Sequence, residues 1–351
     1  MKRQVIDLFS GVGGLSKGFL DSGFEIVLAN EVDFSIANSY KKNHPKVKMI
    51  NEDISKLDID DVFNEYKNID VIVGGPPCQG FSQKGKRKIM DDPRNYLFKY
   101  FFEVVSVVRP KYFVLENVPN ILTANNGHFK DEIYNLCSSN GYTLNSAVLN
   151  ASDYGVPQNR RRAIIIGKLG KDKVSMPKPI NKKITIWDAI SDLNYLNSGE
   201  GEEISEYVNS PKTLYQEQLR KEMTILYNHK ATNHSEVAIE RMSLIPINGT
   251  REDLPEEHHT KSIYSGTWSR MDKDTQSVTI TTRFDTPSSG RFTHPFLNRA
   301  ITVREAARIQ SFPDDFIFYG NKGSQMKQVG NAVPPILAKA IAKEIYNDME
   351  A

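Results

Sequence analysis

The 351-residue chain has only two cysteines, Cys78 and Cys137. Two thiols cannot build a four-cysteine zinc site or the disulfide framework of a small exported domain. The seven histidines show no ligand spacing to either cysteine, and His258-His259 is a lone pair in an acidic, proline-containing loop, so no metal is expected. No apolar run approaches the roughly 18 residues of a membrane span. The opening Met1-Lys2-Arg3-Gln4-Val5-Ile6-Asp7 reaches an acid too soon for a signal peptide, so the expectation is a cytoplasmic protein with no membrane partner. Charge of one sign is also lacking: the formal net charge is +2, which neither demands nor excludes nucleic acid. No internal repeat is present.

What is present is ordinary for a globular protein, with 39% hydrophobic and 25% charged residues, in a chain long enough for two domains. The cations are clustered. Lys84, Lys86, Arg87 and Lys88 fall together, and Arg160, Arg161 and Arg162 are consecutive. A charge run is ordinarily a solvated face; each of these adjoins a candidate chemical motif.

The first half alternates apolar strands with helical patterns. Strands are predicted at 5–9, 25–29, 46–50, 69–73, 112–115, 143–150 and 163–166, and an amphipathic helix at 96–108 ends before Pro110. This rhythm predicts an α/β fold with a mostly parallel sheet covered on both faces. From about Lys168 charged, Asn-rich and Gly/Ser-rich stretches replace it; Ser277–Thr282 is strand-like, and 334–348 is an amphipathic helix. The expected division is a catalytic, cofactor-binding domain of residues 1–180 and 318–351, and a smaller irregular domain of residues 181–317.

The first strand runs into Ser10-Gly11-Val12-Gly13-Gly14. Glycines at a β-to-α turn let the backbone approach a ligand, and the helix start offers free N–H groups. A dinucleotide fingerprint would place glycine at position 16, where this chain has Ser16, so pyrophosphate is disfavoured. Glu31, at the tip of the second strand, suits ribose hydroxyls, and Asp53, after the third, suits an exocyclic amine. Two acids with a glycine turn fit adenosine without a phosphate.

The fourth strand leads into Gly74-Gly75-Pro76-Pro77-Cys78-Gln79-Gly80-Phe81-Ser82. A cysteine after paired prolines is held on a stiff, sharply turned backbone at the carboxyl edge of the sheet, where open α/β folds bind ligands. Cys137, on a helical pattern, reads as a small buried hydrophobe.

Here the sequence resembles the cytosine-C5 DNA methyltransferase family, of the restriction–modification type. The similarity rests on six motifs in the family's order: Phe9–Gly14, Gly74–Ser82, Glu116-Asn117-Val118, Gln158–Arg162, Arg299–Phe316 and Gly330-Asn331-Ala332-Val333. They span roughly 4–167 and 265–345. The resemblance implies a Rossmann-like domain using S-adenosylmethionine and releasing S-adenosylhomocysteine, without metal. It implies donor contacts at Phe9, Ser10, Gly11, Gly13, Gly14, Glu31, Val32, Asp53, Ile54, Pro76, Leu97, Asn331 and Val333. Val32 departs from the aromatic residue the family often carries there, which weakens the expected adenine stacking.

The implied chemistry suits these residues. Cytosine C5 becomes nucleophilic only when a thiolate adds to C6, the role of Cys78. The ring charge is relieved at N3 by Glu116 and at O2 by Arg162, with Arg160 assisting. The nucleotide leaves the duplex for this. The polar, basic stretch 79–95 is expected to close over it, with Gln79, Ser82, Lys84, Lys86, Arg87 and Lys88 meeting DNA. Residues 183–276 occupy the place of the target-recognition domain, with Arg241 and Arg251, and also Lys212, Arg220 and Lys230, as candidate readers. The implied partner is double-stranded DNA, with a cognate endonuclease acting on the same site without a stable complex, and a monomer is expected. Three alternatives compete: a tRNA methyltransferase, whose Cys-Phe-Thr motif is absent here; a non-catalytic relative, at odds with the full Cys78, Glu116 and Arg162 set; and a nicotinamide-dependent dehydrogenase, disfavoured by Ser16.

Overall fold

The computed structural model describes residues 2–77, 97–180, 182–262 and 264–351. The chain forms two compact units, one of residues 1–150, 161–180 and 335–351, the other of 151–160 and 181–334.

The first unit is built on a seven-stranded sheet: β1 (Gln4–Leu8), β2 (Glu25–Asn30), β3 (Lys48–Ile50), β4 (Val71–Gly74), β5 (Tyr112–Asn117), β6 (Tyr142–Asn150) and β7 (Arg161–Leu169), in the order β3-β2-β1-β4-β5-β7-β6. β7 runs antiparallel to both its neighbours, and the other pairings are parallel. Helices α1 (Gly14–Leu20), α2 (Phe34–Asn43), α3 (Ile59–Phe63), α4 (Leu97–Val108) and α5 (His128–Ser139) follow the strands. β4 and β5 are buried along their whole length, as strands covered on both faces must be. The period of two sorts β1 by face. Ile6 and Leu8 join Ile72, Phe113 and Leu115 in a core with Phe101 and Val105 of α4 and Phe129 and Ile133 of α5. Asp7 points the other way, to Ser16 of α1. β1 and β4 lie side by side while their following connections lead to opposite ends of the sheet, which opens a crevice at their carboxyl ends.

The second unit has one two-stranded ribbon, β8 (Ile204–Glu206) with β9 (Ile225–Tyr227), among its described residues. Its helices are α6 (Ile186–Ile190), α7 (Leu214–Arg220), α8 (Glu236–Leu244), α9 (Val303–Ile309) and α10 (Lys322–Asn331). Buried charge organises it. Arg299 grips Glu305 with two 2.8 Å hydrogen bonds, Arg308 binds Asp192 and Asp314, and Arg304 donates to the carbonyls of Tyr227, Pro313 and Phe316. α9 starts in a capping box between Thr302 and Glu305. The C-terminal helix α11 (Pro335–Glu350) returns to the first unit and packs on α1.

Three features differ from the sequence expectations. Ser277–Thr282 is not a strand: Ser277 makes a single bridge to Gln158, and the Ile280 N–H donates to the Gln158 side chain, so no neighbouring strand accepts the ladder. Residues 151–160 join the second unit, because Gln158 and Arg160 are buried there. The return to the first unit falls at Pro335 instead of 318, because α10 is bound by Gln310, whose side chain donates to the Val329 carbonyl. Among the described residues no helix is long and apolar enough to cross a membrane.

Candidate active site

The turn after β1 is left-handed at Phe9 (φ 55°), Gly11 (φ 55°) and Gly13 (φ 99°). A phenylalanine there is strained and persists only where its surroundings fix it. The fixing contacts come from β2. Ser10 N–H donates to the Asn30 carbonyl at 2.9 Å, and Gly11 N–H donates to Glu31 Oε2 at 3.0 Å. Asp33 N–H donates to Glu31 Oε1 at 2.8 Å, so this one carboxylate clamps the turn to the tip of β2. Burial pushes the Glu31 carboxyl up, against the Asp33 and Gly11 amides, which favour its charged form. The Asn51 amide braces the loop, donating to the carbonyls of Glu31 (2.8 Å) and Val32 (3.1 Å). Asn51 was missed in the sequence, where an asparagine after a short strand carries no signal. Asp53 Oδ1 accepts from Ser55 N–H and Oγ–H, which holds that carboxyl low.

Of the other expected donor contacts, Gly14 begins α1 and Leu97 begins α4; Ile54 and Pro76 are buried, and Val32 is 62% exposed. Asn331 ends α10 and Val333 is buried, both in the second unit. The glycine turn fits an adenosine better than a pyrophosphate. Gly11 N–H, the group a phosphate would need, is already taken by the Glu31 carboxyl.

β4 ends at Gly74, and β5 carries Glu116 and Asn117 beside the segment that follows. Asn117 donates to the Pro76 carbonyl at 2.9 Å, tying that segment to β5. Arg162, on the adjacent β7, meets Glu116 Oε1 through Nε at 2.8 Å, and both side chains are nearly buried. Glu116 Oε2 stands against Gly75, where an added Cβ would lie 2.9 Å from it. A carboxylate and a guanidinium are thus held together at the sheet edge. The candidate nucleophile Cys78 lies outside the described residues, as do Gln79, Ser82, Lys84, Lys86, Arg87 and Lys88. Arg160, also expected at the site, belongs to the second unit. It is 1% exposed and donates to the carbonyls of Ile280 (3.1 Å) and Gly330 (3.0 Å).

The expected DNA readers of the second unit have internal partners. Arg241 lies over the Trp268 ring at 5.3 Å, and Arg251 donates to the Ser262 carbonyl. Lys212 donates to the Ser191 carbonyl, Arg220 to that of Asn209, and Lys230 pairs with Glu202. Cys137 is buried, and burial pushes its thiol far up, which suits an inert core residue. Among the described residues no three His, Cys, Asp or Glu side chains gather as metal ligands do. A cavity of about 820 Å³ opens at the opposite edge of the sheet, where Lys111 pairs with Asp70 and Lys168 with Asp348.

A sheet of this order, with a glycine turn clamped by a β2 carboxylate and a Glu–Arg pair beside the segment after β4, defines a Rossmann-like methyltransferase. The chain belongs to the family of C-5 cytosine-specific DNA methylases, whose model matches residues 3–347. It is 39% identical over 350 residues to the Type II methyltransferase M1.HphI of Haemophilus parahaemolyticus, an alignment covering 98% of this chain and 87% of that protein. It is 38% identical to the Type II methyltransferase M.DdeI of Desulfomicrobium norvegicum, covering 97% and 88%. A crystal structure of a prophage-encoded protein described as a DNA modification methyltransferase (E. coli) superposes with TM-score 0.82 at 32% identity, covering 99% of both chains. The protein is therefore an enzyme, a DNA cytosine-C5 methyltransferase.

Proposed function

We propose that this enzyme methylates C5 of a cytosine turned out of a specific short double-stranded DNA sequence, as the modification half of a restriction–modification system. The observation that carries the reading is the Glu116–Arg162 pair at 2.8 Å, next to the Gly75 segment that leads to Cys78. Glu31, the Gly11–Gly14 turn and Asp53 would hold S-adenosylmethionine. When bound, the donor supplies an electrophilic methyl group on a sulfonium, which an activated C5 takes up. The chain's residues do the activating. The Cys78 thiolate adds to C6, forming a C–S bond and moving the electron pair toward N3 and C5. Glu116 donates to N3 and Arg162 stabilises the oxygen at C2. Afterwards the C5 proton leaves to a base, and the thiolate is expelled as the ring double bond re-forms. The product left from the donor is S-adenosylhomocysteine. A cognate endonuclease would share the target site without a lasting complex, and the enzyme would act as a monomer in the cytoplasm.

Base-resolution mapping of cytosine methylation tests this, on unmethylated genomic DNA incubated with enzyme and S-adenosylmethionine. One short motif should be methylated by the wild type and none by Cys78→Ser. Modification confined to a parallel tRNA substrate, or full activity of Cys78→Ser, would sink the substrate or the mechanism.

A further inference from the structure

We propose that Asp7, Ser16 and Tyr40 are positioning residues: a buried relay that holds the glycine turn from behind and so sets the affinity for the methyl donor. The inference rests on the donor reading above.

The relay joins three elements. Ser16 Oγ–H, on α1, donates to Asp7 Oδ2 of β1 at 2.6 Å, and Ser16 Oγ also lies 2.7 Å from the Tyr40 hydroxyl of α2. Both distances are those of good O–H···O bonds. Ser16 has one proton to give, so with an ionised Asp7 the order is Tyr40 to Ser16 to Asp7. All three residues are fully buried. The chain of contacts returns to the turn it started from. A Cβ built on Gly13 would fall 2.9 Å from the Tyr40 ring and 2.5 Å from His44 Nε2, and Tyr40 and His44 are themselves in ring contact at 4.5 Å. The hydroxyl end of Tyr40 is thus fixed to α1 and, through Ser16, to β1, while its ring edge and His44 form the floor on which Gly13 rests.

A purely structural core would not choose this arrangement. Val5, Ile6 and Leu8 of the same strand are wholly buried and apolar, and an apolar residue at position 7 would cost far less than a carboxyl group. Asp7 Oδ1 has no hydrogen-bond partner among the described residues, which makes the site costlier still. The relay also accounts for Ser16 at the position where a dinucleotide fingerprint has glycine. A buried polar network that is costly and lies directly beneath the ligand turn is better explained by orientation than by stability.

Calorimetric binding of S-adenosylhomocysteine, with steady-state methylation of unmethylated genomic DNA, tests the relay. Tyr40→Phe keeps the ring against Gly13 and removes the hydroxyl; Ser16→Ala cuts the relay at its centre. Each should raise the dissociation constant and the donor KM by about five- to ten-fold, the worth of one hydrogen bond, with kcat at saturating donor nearly unchanged. The double variant should be no weaker than the weaker single one, because both cut the same path. If Ser16→Ala fails to fold, Tyr40→Phe alone decides. Wild-type binding with unaltered affinity in Tyr40→Phe overturns the relay, as does a fall in kcat with KM unmoved. Wild-type protein that takes up no S-adenosylhomocysteine overturns the donor reading, and the relay with it.

Discussion

At the scale of single residues, the site depends on one missing side chain as much as on those present. Gly75 lies outside the left-handed region, so alanine would fit its backbone; what it cannot fit is the space taken by Glu116 Oε2, 2.9 Å from the new Cβ. Gly75→Ala should turn the carboxylate away while the Arg162 ion pair holds its other oxygen. Displacing a catalytic group by about 1 Å costs about 100-fold in rate, so single-turnover methylation should fall by about that factor. The melting temperature should move little. An active Gly75→Ala enzyme would mean that the carboxylate need not stand there. In the sequence Glu116 stands out because it closes the apolar run Tyr112–Leu115, and it lies within β5; Cys78, which follows the apolar run ending at Val73, lies outside the described residues. Arg160 and Arg162 were not separable by sequence. Three consecutive arginines look alike, but Arg160 precedes β7 and faces the second unit's carbonyls, and only Arg162 turns to Glu116.

Among elements, one close approach joins a helix near the start of the chain to the helix at its end. A Cβ on Gly18 of α1 would lie 2.4 Å from the Ala338 Cβ and 2.5 Å from the Lys339 amide nitrogen of α11. Backbone cannot yield as a side-chain tip can, so Gly18→Ala should force the helices apart and cost about 1–3 kcal/mol. Thermal melting reads this directly, and an unchanged midpoint would show that the pair tolerates separation. The positions of β1, β2, β4, β5 and β7 along the chain were readable because each is a short, largely apolar run, and α4 because its apolar stripe stops before Pro110. The second unit was much less readable for a physical reason. Its order rests on buried pairs such as Arg308 with Asp192, which in sequence are merely charged residues far apart. β8 and β9, three residues each, are too short for alternation to register.

At the scale of the whole molecule, buried titratable groups give the two units different responses to acid. In the second unit burial lowers His229 from 6.5 to about 4 and His294 to about 3. Between those values and 6.5 the unfolded chain binds protons that the folded unit refuses, so stability falls as pH falls. At pH 5 each histidine costs about 2 kcal/mol relative to pH 7. In the first unit burial lowers His44 to about 4 but raises Asp7 from 3.8 to about 7, with Glu31 adding to the rise. Asp7 acts with the opposite sign: between 3.8 and 7 the folded state holds a proton that the unfolded chain has released. Acidification to pH 5 therefore returns about 2 kcal/mol and offsets His44. Asp314, held at about 2 by Arg308 and Arg304 against its burial, begins to lose its contribution only below its ordinary 3.8 and leaves pH 5 unaffected. Hydrogen exchange followed peptide by peptide at pH 7 and pH 5, corrected for intrinsic rates, should show protection lost in residues 181–334 well before the β1–β5 core. The Asp7→Asn variant should abolish the offset, so that the first unit too loses protection at pH 5. Equal loss in both units of the wild type would show that Asp7 does not hold its proton near neutrality. The turn it supports would then carry a full buried charge throughout the working range.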